Sequence, residues 1–258
     1  MPVEARGGHD VNVIRTGGDV QNLLLHCTLA RSEALLPLAQ TLAGDSVLMD
    51  LIGHGRSEDW DKRGDYQTEN MAAAIDLCDR PLHVIGHSFG ATVALRMALD
   101  HPDRVARLTL IEPVYFALAT DADARADHIA RFTSIYAAYD AGDLDRAARL
   151  FHGDWGGGAW AALPAHTRAA FARRMPLIMA GVPAIQDDIH AVKARLSKVS
   201  VPVSLIRGET SPPIIPAIHA AICASVPQAQ DHVIAGAGHM VPMTDTAAVA
   251  ALIASDAR

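Results

Sequence analysis

The chain has 258 residues, of which 50% are hydrophobic, 20% charged and 5% aromatic, and its formal net charge is −7. This length is typical of one large domain, or of one domain that carries an insertion. The apolar content excludes a disordered chain, a collagen and a coiled coil. The excess of 29 acidic over 22 basic residues argues against nucleic acid as a partner.

Neither a membrane nor an export signal is expected from the sequence. No segment approaches the roughly 18 consecutive apolar residues that a membrane-spanning helix needs. The first residues lack the basic region and apolar core of a secretory signal. The three cysteines form no close pair, as is typical of reduced thiols. We therefore expect a cytoplasmic protein, and the sequence leaves its oligomeric state open.

Short apolar segments alternate with segments of helical periodicity along most of the chain. Strands are predicted at 22–27, 46–50, 81–86, 107–112, 201–207 and 231–235, and helices at 32–43, 67–78, 88–100, 212–225 and 244–255. Alternation of this kind predicts a mostly parallel sheet with helices on both faces.

The segment from residue 113 to about 197 contains no convincing strand. It consists of helical stretches rich in Ala and Arg, which Gly or Pro residues should break at 142, 156–158, 164 and 183. Ordinary connections are much shorter than this segment. We therefore expect a core formed by residues 1–113 and 199–258, with a helical insertion at 114–198.

The strongest chemical signal is a G-x-S-x-G pattern with Ser88 at its centre, between a predicted strand and a predicted helix. Such a pattern is typical of a nucleophile elbow. The turn is so tight that Gly86 and Gly90 have to be small, because a Cβ atom at either position would collide with the neighbouring elements. The elbow points the Ser88 hydroxyl outward at a helix N-terminus, which favours a developing negative charge.

A second signal is the glycine-rich loop that ends in His239, directly after the last predicted strand. A histidine has an ordinary pKa near 6.5, so it can take the proton of a serine at neutral pH and return it to a leaving group. A third loop, at residues 50–57, is also rich in glycine and lies at the same edge of the sheet. We expect this loop to have a structural role.

In this order on these elements, the motifs resemble those of the α/β-hydrolases over nearly the whole chain. The resemblance implies an α/β-hydrolase fold, which is a mostly parallel, doubly wound sheet with an inserted helical cap. It further implies Ser88 as the nucleophile, His239 as the general base, and the backbone N–H groups of Phe89 and Thr28 as the oxyanion hole. One departure is Cys27, which stands after His26 where the family usually has glycine.

The second departure concerns the acid that orients the histidine. The usual family position corresponds to Ser211, which we interpret as a helix N-cap followed by Pro212. Some family members carry the acid after the strand that follows the elbow, where Glu112 stands, and burial of that carboxylate would require a partner such as His239. Glu209, in the usual acid loop, is the alternative, and absence of an acid is a third.

The favoured function is hydrolysis of an ester or related acyl bond of a small molecule, through an acyl-enzyme on Ser88. Such hydrolysis requires neither cofactor nor metal, and the 13 histidines show no metal-ligand spacing. Serine at the elbow argues against the aspartate-based chemistry of haloalkane dehalogenases and epoxide hydrolases. The alternatives are a catalytically weak ligand-binding or regulatory protein, and a cofactor-free lyase or transferase that uses the same serine and histidine.

Overall fold

The computed structural model describes residues 3–256. Its central element is a sheet of eight strands. In chain order the strands are β1 (Val3–Arg6), β2 (His9–Arg15), β3 (Val20–Leu25), β4 (Asp45–Met49), β5 (Leu82–His87), β6 (Val105–Ile111), β7 (Val203–Gly208) and β8 (Ala229–Ile234). Their order across the sheet is β1-β2-β4-β3-β5-β6-β7-β8. Strands β3 to β8 are parallel, whereas β1 pairs with β2 and β2 with β4 in antiparallel fashion. The expectation of a mostly parallel sheet is confirmed.

Helices cover both faces of this sheet. They are α1 (Leu36–Ala39), α2 (Tyr66–Ile75), α3 (Phe89–Asp100), α4 (Ala122–Asp140), α5 (Leu144–Trp155), α6 (Ala165–Ile185), α7 (Val192–Arg195), α8 (Ile214–Ser225), α9 (Val241–Thr244) and α10 (Thr246–Asp256). Helices α2, α3 and α8 contribute to the larger apolar core, and α1, α9 and α10 contribute to the smaller one on the opposite face.

Strand β3 shows why the central strands are apolar throughout. Successive side chains of a strand point to opposite faces, so Leu23 and Leu25 lie in the larger core while Leu24 lies in the smaller one. All three are fully buried. A parallel strand covered by helices on both sides has no polar face, which explains the continuous apolar segment.

The antiparallel hairpin of β1 and β2 was not predicted from the sequence. In this hairpin Arg6 pairs with His9 across the turn Gly7–Gly8, and both glycines have positive φ angles, 56° and 84°. Strand β2 contains polar residues that interrupt the alternation of apolar and polar side chains typical of a half-buried strand. A Gly-Gly pair between two short segments is a hairpin signal that was available in the sequence.

Several predicted element boundaries differ from the structure. The helix expected at 32–43 is a 3₁₀ turn, Ser32–Leu35, followed by α1, which ends at Ala39. The break expected at Pro183 is wrong, because α6 continues to Ile185 with this proline in its last turn. The break at Gly142, which has a φ of 76°, is confirmed. The helix expected at 244–255 is α10, Thr246–Asp256, and the short helix α9, Val241–Thr244, precedes it.

Residues 112–202 contain helices α4 to α7 and no strand, as expected. Helix α5 packs against both α4 and α6. The segment reaches the carboxyl edge of the sheet, since Arg174 donates a hydrogen bond of 3.1 Å to the carbonyl of Gly53 and the ring of Trp155 lies 4.8 Å from that of His239. The division into a core and an insertion at 114 and 198 stays a prediction.

Candidate active site

Ser88 lies in the tight turn between β5 and α3. Its φ of 55° and ψ of −116° fall outside the regions that residues other than glycine usually occupy. A Cβ atom added to Gly86 would lie 2.4 Å from the carbonyl oxygen of Gly90, and one added to Gly90 would lie 2.4 Å from that of Leu25. Backbone atoms on both sides therefore exclude any larger residue, as the elbow pattern predicted.

His239 follows β8 and lies between two of the other candidate residues. Its Nε2 is 3.0 Å from Oγ of Ser88, and its Nδ1 is 2.9 Å from Oε2 of Glu112. An ionised carboxylate only accepts hydrogen bonds, so Nδ1 carries the proton and Nε2 is free to accept that of the serine. All three side chains are buried. The structure thus brings together Ser88, His239 and Glu112 in one hydrogen-bonded chain.

Glu112 directly follows β6, and its side chain is fully buried. Besides His239, the main-chain N–H of Gly208 and the hydroxyl of Ser211 donate hydrogen bonds to it, both to Oε1, at 2.7 Å and 2.6 Å. Burial alone raises the pKa of this carboxyl. The hydrogen bond and charge of His239, together with the other two donors, outweigh burial and bring the pKa below its ordinary value. The carboxylate is therefore ionised at neutral pH.

The two other residues weighed for the acid position have different contacts. The carboxylate of Glu209 accepts a hydrogen bond of 2.9 Å from the main-chain N–H of Gly236 and lies at the surface. The interpretation of Ser211 as a helix N-cap is wrong, because Pro213 stands at that position of α8. The Ser211 hydroxyl instead contacts Glu112, a role that the sequence analysis missed.

The two residues expected to provide the oxyanion hole, Phe89 and Thr28, line a cavity together with Ser88. Phe89 is the first residue of α3, and the first N–H groups of a helix have no partner within it. Thr28 follows β3, and the hydrogen bonds found among residues 3–256 include none donated by the main-chain N–H of either residue. The side chain of Cys27 is buried, which raises its pKa to about 12 and keeps it a neutral thiol.

Two buried histidines connect the loop after β3 with the loop after β4. Nε2 of His54 accepts a hydrogen bond from the N–H of Leu29 at 3.0 Å, and Nε2 of His26 accepts one from the N–H of Leu51 at 2.9 Å. Because a main-chain N–H only donates, both rings are neutral and carry their proton on Nδ1, from which His26 donates to the carbonyl of Cys27. Burial lowers the pKa of both histidines, that of His54 to about 3. This link between the two loops was not predicted from the sequence.

His87, next to Ser88 in the sequence, holds the main chain of His239. Its Nε2 lies 2.9 Å from the carbonyl oxygen of His239, to which it donates. Burial lowers the pKa of His87 to about 3, so the ring is neutral.

Ser88 lines two cavities. The larger of these two has a volume of about 280 Å³ and also adjoins His239, and we call it the larger cavity. Most of its remaining lining is apolar or aromatic: Leu29, Phe151, Trp155, Leu163, Phe171 and Met240. Within the described part of the chain, no group of three or more His, Cys, Asp or Glu residues could hold a metal ion. Among residues 3–256, no helix combines the length and apolar character needed to cross a bilayer.

Two solved structures illustrate the fold. The α/β hydrolase from Sphaerobacter thermophilus superimposes with a TM-score of 0.75 at 21% identity, covering 100% of this chain and 99% of that one. Est816, described as an N-acyl homoserine lactone degrading enzyme, gives a TM-score of 0.75 at 18% identity, with 96% and 97% covered. Both superpositions agree with the sheet and helices described above and confirm the fold class.

Curated relatives match over shorter segments. Lipase LipV of Mycobacterium tuberculosis is 36% identical over 110 residues, which are 40% of this chain and 42% of the relative. An acetyltransferase component of the acetoin cleaving system of Pseudomonas putida is 37% identical over 99 residues, 37% of this chain and 24% of the relative. The aligned part of the chain thus spans less than half the length of either protein.

The family match is more extensive than either of these. Residues 23–252 match the model of the alpha/beta hydrolase family, a range that includes the elbow, the loop of His239 and the helices between them. The resemblance inferred from the motifs is confirmed, and the chain belongs to the alpha/beta hydrolase family.

Proposed function

We propose that this protein is a serine hydrolase that cleaves an ester or related acyl bond of a small molecule. The observation that carries this function is the hydrogen-bonded chain in which His239 bonds Ser88 at 3.0 Å and Glu112 at 2.9 Å. Such a chain supplies a nucleophile, a base in hydrogen-bond reach of it, and a third group that orients the base. Family membership and the lipase named among the relatives support the same class.

The chemistry follows from these positions. Oγ of Ser88 attacks the acyl carbon while Nε2 of His239 takes its proton, and Glu112 stabilises the resulting imidazolium. The N–H groups of Phe89 and Thr28 stabilise the oxyanion of the tetrahedral intermediate. His239 then protonates the leaving group, the carbon–oxygen bond breaks, and an acyl-enzyme forms on Ser88. Water, activated by the same histidine, attacks this ester and releases the acid.

We further propose that residues 114–198 cap the active site of a core made of residues 1–113 and 199–258. Trp155 supports this role, because it lines the larger cavity and its ring contacts that of His239. The cap would exclude water from the reacting groups and select the substrate. For the protein itself we propose a cytoplasmic location and no cofactor.

Covalent labelling tests the nucleophile. A fluorophosphonate probe should label the wild-type protein at Ser88 and should label neither Ser88→Ala nor His239→Ala. Circular dichroism of each variant shows whether the fold is retained. A folded wild-type protein that reacts neither with this probe nor with a smaller sulfonyl fluoride would contradict the proposed nucleophile and favour a ligand-binding protein.

Incorporation of oxygen from water distinguishes hydrolysis from the lyase or transferase alternative. Hydrolysis in ¹⁸O-labelled water places one labelled oxygen in the released acid, whereas a lyase or a transfer to another acceptor does not. Two contacts bear on the sequence departures that favoured a binding protein. The hydrogen bond between Glu112 and His239 supports Glu112 as the orienting acid, and the hydrogen bonds among residues 3–256 include none donated by the main-chain N–H of Thr28, next to Cys27.

A further inference from the structure

Ser88 lines two neighbouring cavities. A smaller cavity of about 20 Å³ lies beside the larger one, and Thr28, Ser88, Phe151 and Trp155 line both. The reacting atom of a substrate attacked by Ser88 therefore lies where the two cavities join. A substrate has two parts on either side of its acyl carbon, so each cavity is available for one of them.

The position of His239 decides which part occupies which cavity. His239 lines the larger cavity and does not line the smaller one. The leaving group must receive its proton from Nε2 of His239, which requires hydrogen-bond distance between the two. The leaving group therefore belongs in the larger cavity, and the acyl chain belongs in the smaller one.

The smaller cavity limits the length of the acyl chain. The smaller cavity has a volume of about 20 Å³ and the larger one a volume of about 280 Å³, so the smaller cavity accommodates only a short acyl group. Its far walls are the buried side chains of Phe132 from α4 and of Ile178 and Ile185 from α6. A longer chain has to displace these packed side chains.

Charge limits the substrate further. Among the described residues that line the two cavities there is no Asp, Glu, Lys or Arg. A carboxylate or phosphate in either cavity would lose its hydration without gaining a charged partner. The aromatic walls of the larger cavity, Phe151, Trp155 and Phe171, instead favour an apolar leaving group.

We propose that the substrates are uncharged esters that join a short aliphatic acid, acetic or propionic in size, to a larger apolar alcohol or phenol. This substrate class rests on the proposed function, and the bond changes are those of the acyl-enzyme reaction above. The short acyl group stays on Ser88 in the smaller cavity while the alcohol leaves from the larger one with the proton carried by His239.

The chain-length dependence of ester hydrolysis tests this substrate class. We expect kcat/KM for 1-naphthyl acetate to exceed that for 1-naphthyl octanoate at least about ten-fold in the wild-type protein. Mono-(1-naphthyl) succinate, in which a carboxylate replaces the terminal methyl of the butyrate, should be at least about ten-fold slower than 1-naphthyl butyrate.

Two variants on opposite sides of Ser88 provide matched tests. Ile178→Ala enlarges the smaller cavity, so the octanoate-to-acetate ratio of kcat/KM should rise at least about ten-fold. Leu163→Ala enlarges the larger cavity, so it should leave this ratio within about two-fold and alter the preference between 1-naphthyl and phenyl acetate. If Ile178→Ala does not fold, Ile178→Val makes a smaller change of the same sign.

The outcomes separate the substrate class from the function. Octanoate preference in the wild-type protein, or a ratio that responds to Leu163→Ala and not to Ile178→Ala, would overturn the substrate class while ester hydrolysis stands. Absence of hydrolysis of every ester, with Ser88 labelled by the fluorophosphonate, would overturn the substrate class alone. Absence of both hydrolysis and labelling would overturn the proposed function as well.

Discussion

Ser211 donates a hydrogen bond of 2.6 Å to Oε1 of Glu112, while Oε2 of the same carboxylate faces Nδ1 of His239 at 2.9 Å. Ser211 follows β7 and Glu112 follows β6, and these strands are parallel neighbours. The residue at the usual acid position of the family thus supports a carboxylate that comes from the adjacent strand. One side of this carboxylate is bound by the protein framework, and the other is left for the histidine.

Removal of this hydroxyl should destabilise the protein in a pH-dependent way. We expect Ser211→Ala to lower the free energy of unfolding at pH 7 by about 1–2 kcal/mol, because hydrogen bonds to charged groups are stronger than neutral ones. The pKa of Glu112 lies below its ordinary value in the folded protein, so this contribution is present above the unfolded pKa and is lost as pH falls through the folded pKa. Urea denaturation should show a smaller difference in the free energy of unfolding between wild type and Ser211→Ala at pH 3.5 than at pH 7. Ser134→Ala, at an exposed serine of α4 that donates no hydrogen bond to a carboxylate among residues 3–256, is the control and should show no such pattern.

The acid itself is tested by charge removal. Glu112→Gln keeps the size of the side chain but removes the charge that stabilises the imidazolium of His239, so kcat should fall by about 10²–10⁴. The matched variant Glu209→Gln should retain kcat within about three-fold, since Glu209 bonds the main chain of Gly236. Steady-state kinetics on 1-naphthyl acetate measures both. Loss of activity in Glu209→Gln with full activity in Glu112→Gln would reassign the acid.

The loop that carries Thr28 depends on an acceptor provided by His54. We expect His54→Leu to lower kcat about ten-fold with little change in KM, because Leu29 loses the acceptor of its N–H and the neighbouring oxyanion donor loses its position. His54→Gln carries a side-chain carbonyl and should restore part of kcat. His166→Leu, at an exposed histidine, serves as the control. An increase in KM alone for His54→Leu would contradict this positioning role.

His128 contributes to acid sensitivity. Both of its ring nitrogens are buried without a hydrogen-bond partner in the described structure, and the ring lies 3.9 Å from that of Phe116. Burial lowers its pKa to about 4. The unfolded state then binds more protons, so the stability contributed by the neutral ring is complete above about pH 6.5 and is lost as pH falls towards 4.

His128→Phe should therefore stabilise the protein, and more so in acid. The substitution removes an unpaired polar group and one titrating site, so its advantage over wild type should grow by about 2 kcal/mol between pH 7 and pH 5. Urea denaturation at the two pH values measures this change. An equal effect at both would show that His128 does not titrate on unfolding within this range.

Much of the architecture could be read from local patterns. The parallel core of the sheet follows from strands and helices that alternate along the chain, and the elbow around Ser88 follows from two glycines at fixed spacing. These features depend on residues close in sequence, where backbone sterics and periodicity act directly. The hairpin of β1 and β2 was not predicted, because β1, at the edge of the sheet, is only partly apolar.

The sequence by itself determined the fold class and predicted Ser88 and His239 as the reacting pair, whereas the tertiary structure decided which groups lie beside them. Glu112 and His239 are 127 positions apart, and the packing of the segments after β6 and β8 brings Glu112 to 2.9 Å from His239, whereas Glu209 accepts a hydrogen bond from Gly236. The contact of Ser211 with this carboxylate and the two cavities at Ser88 arise in the same way. Such contacts depend on the packing of distant segments, for which local spacing carries no information.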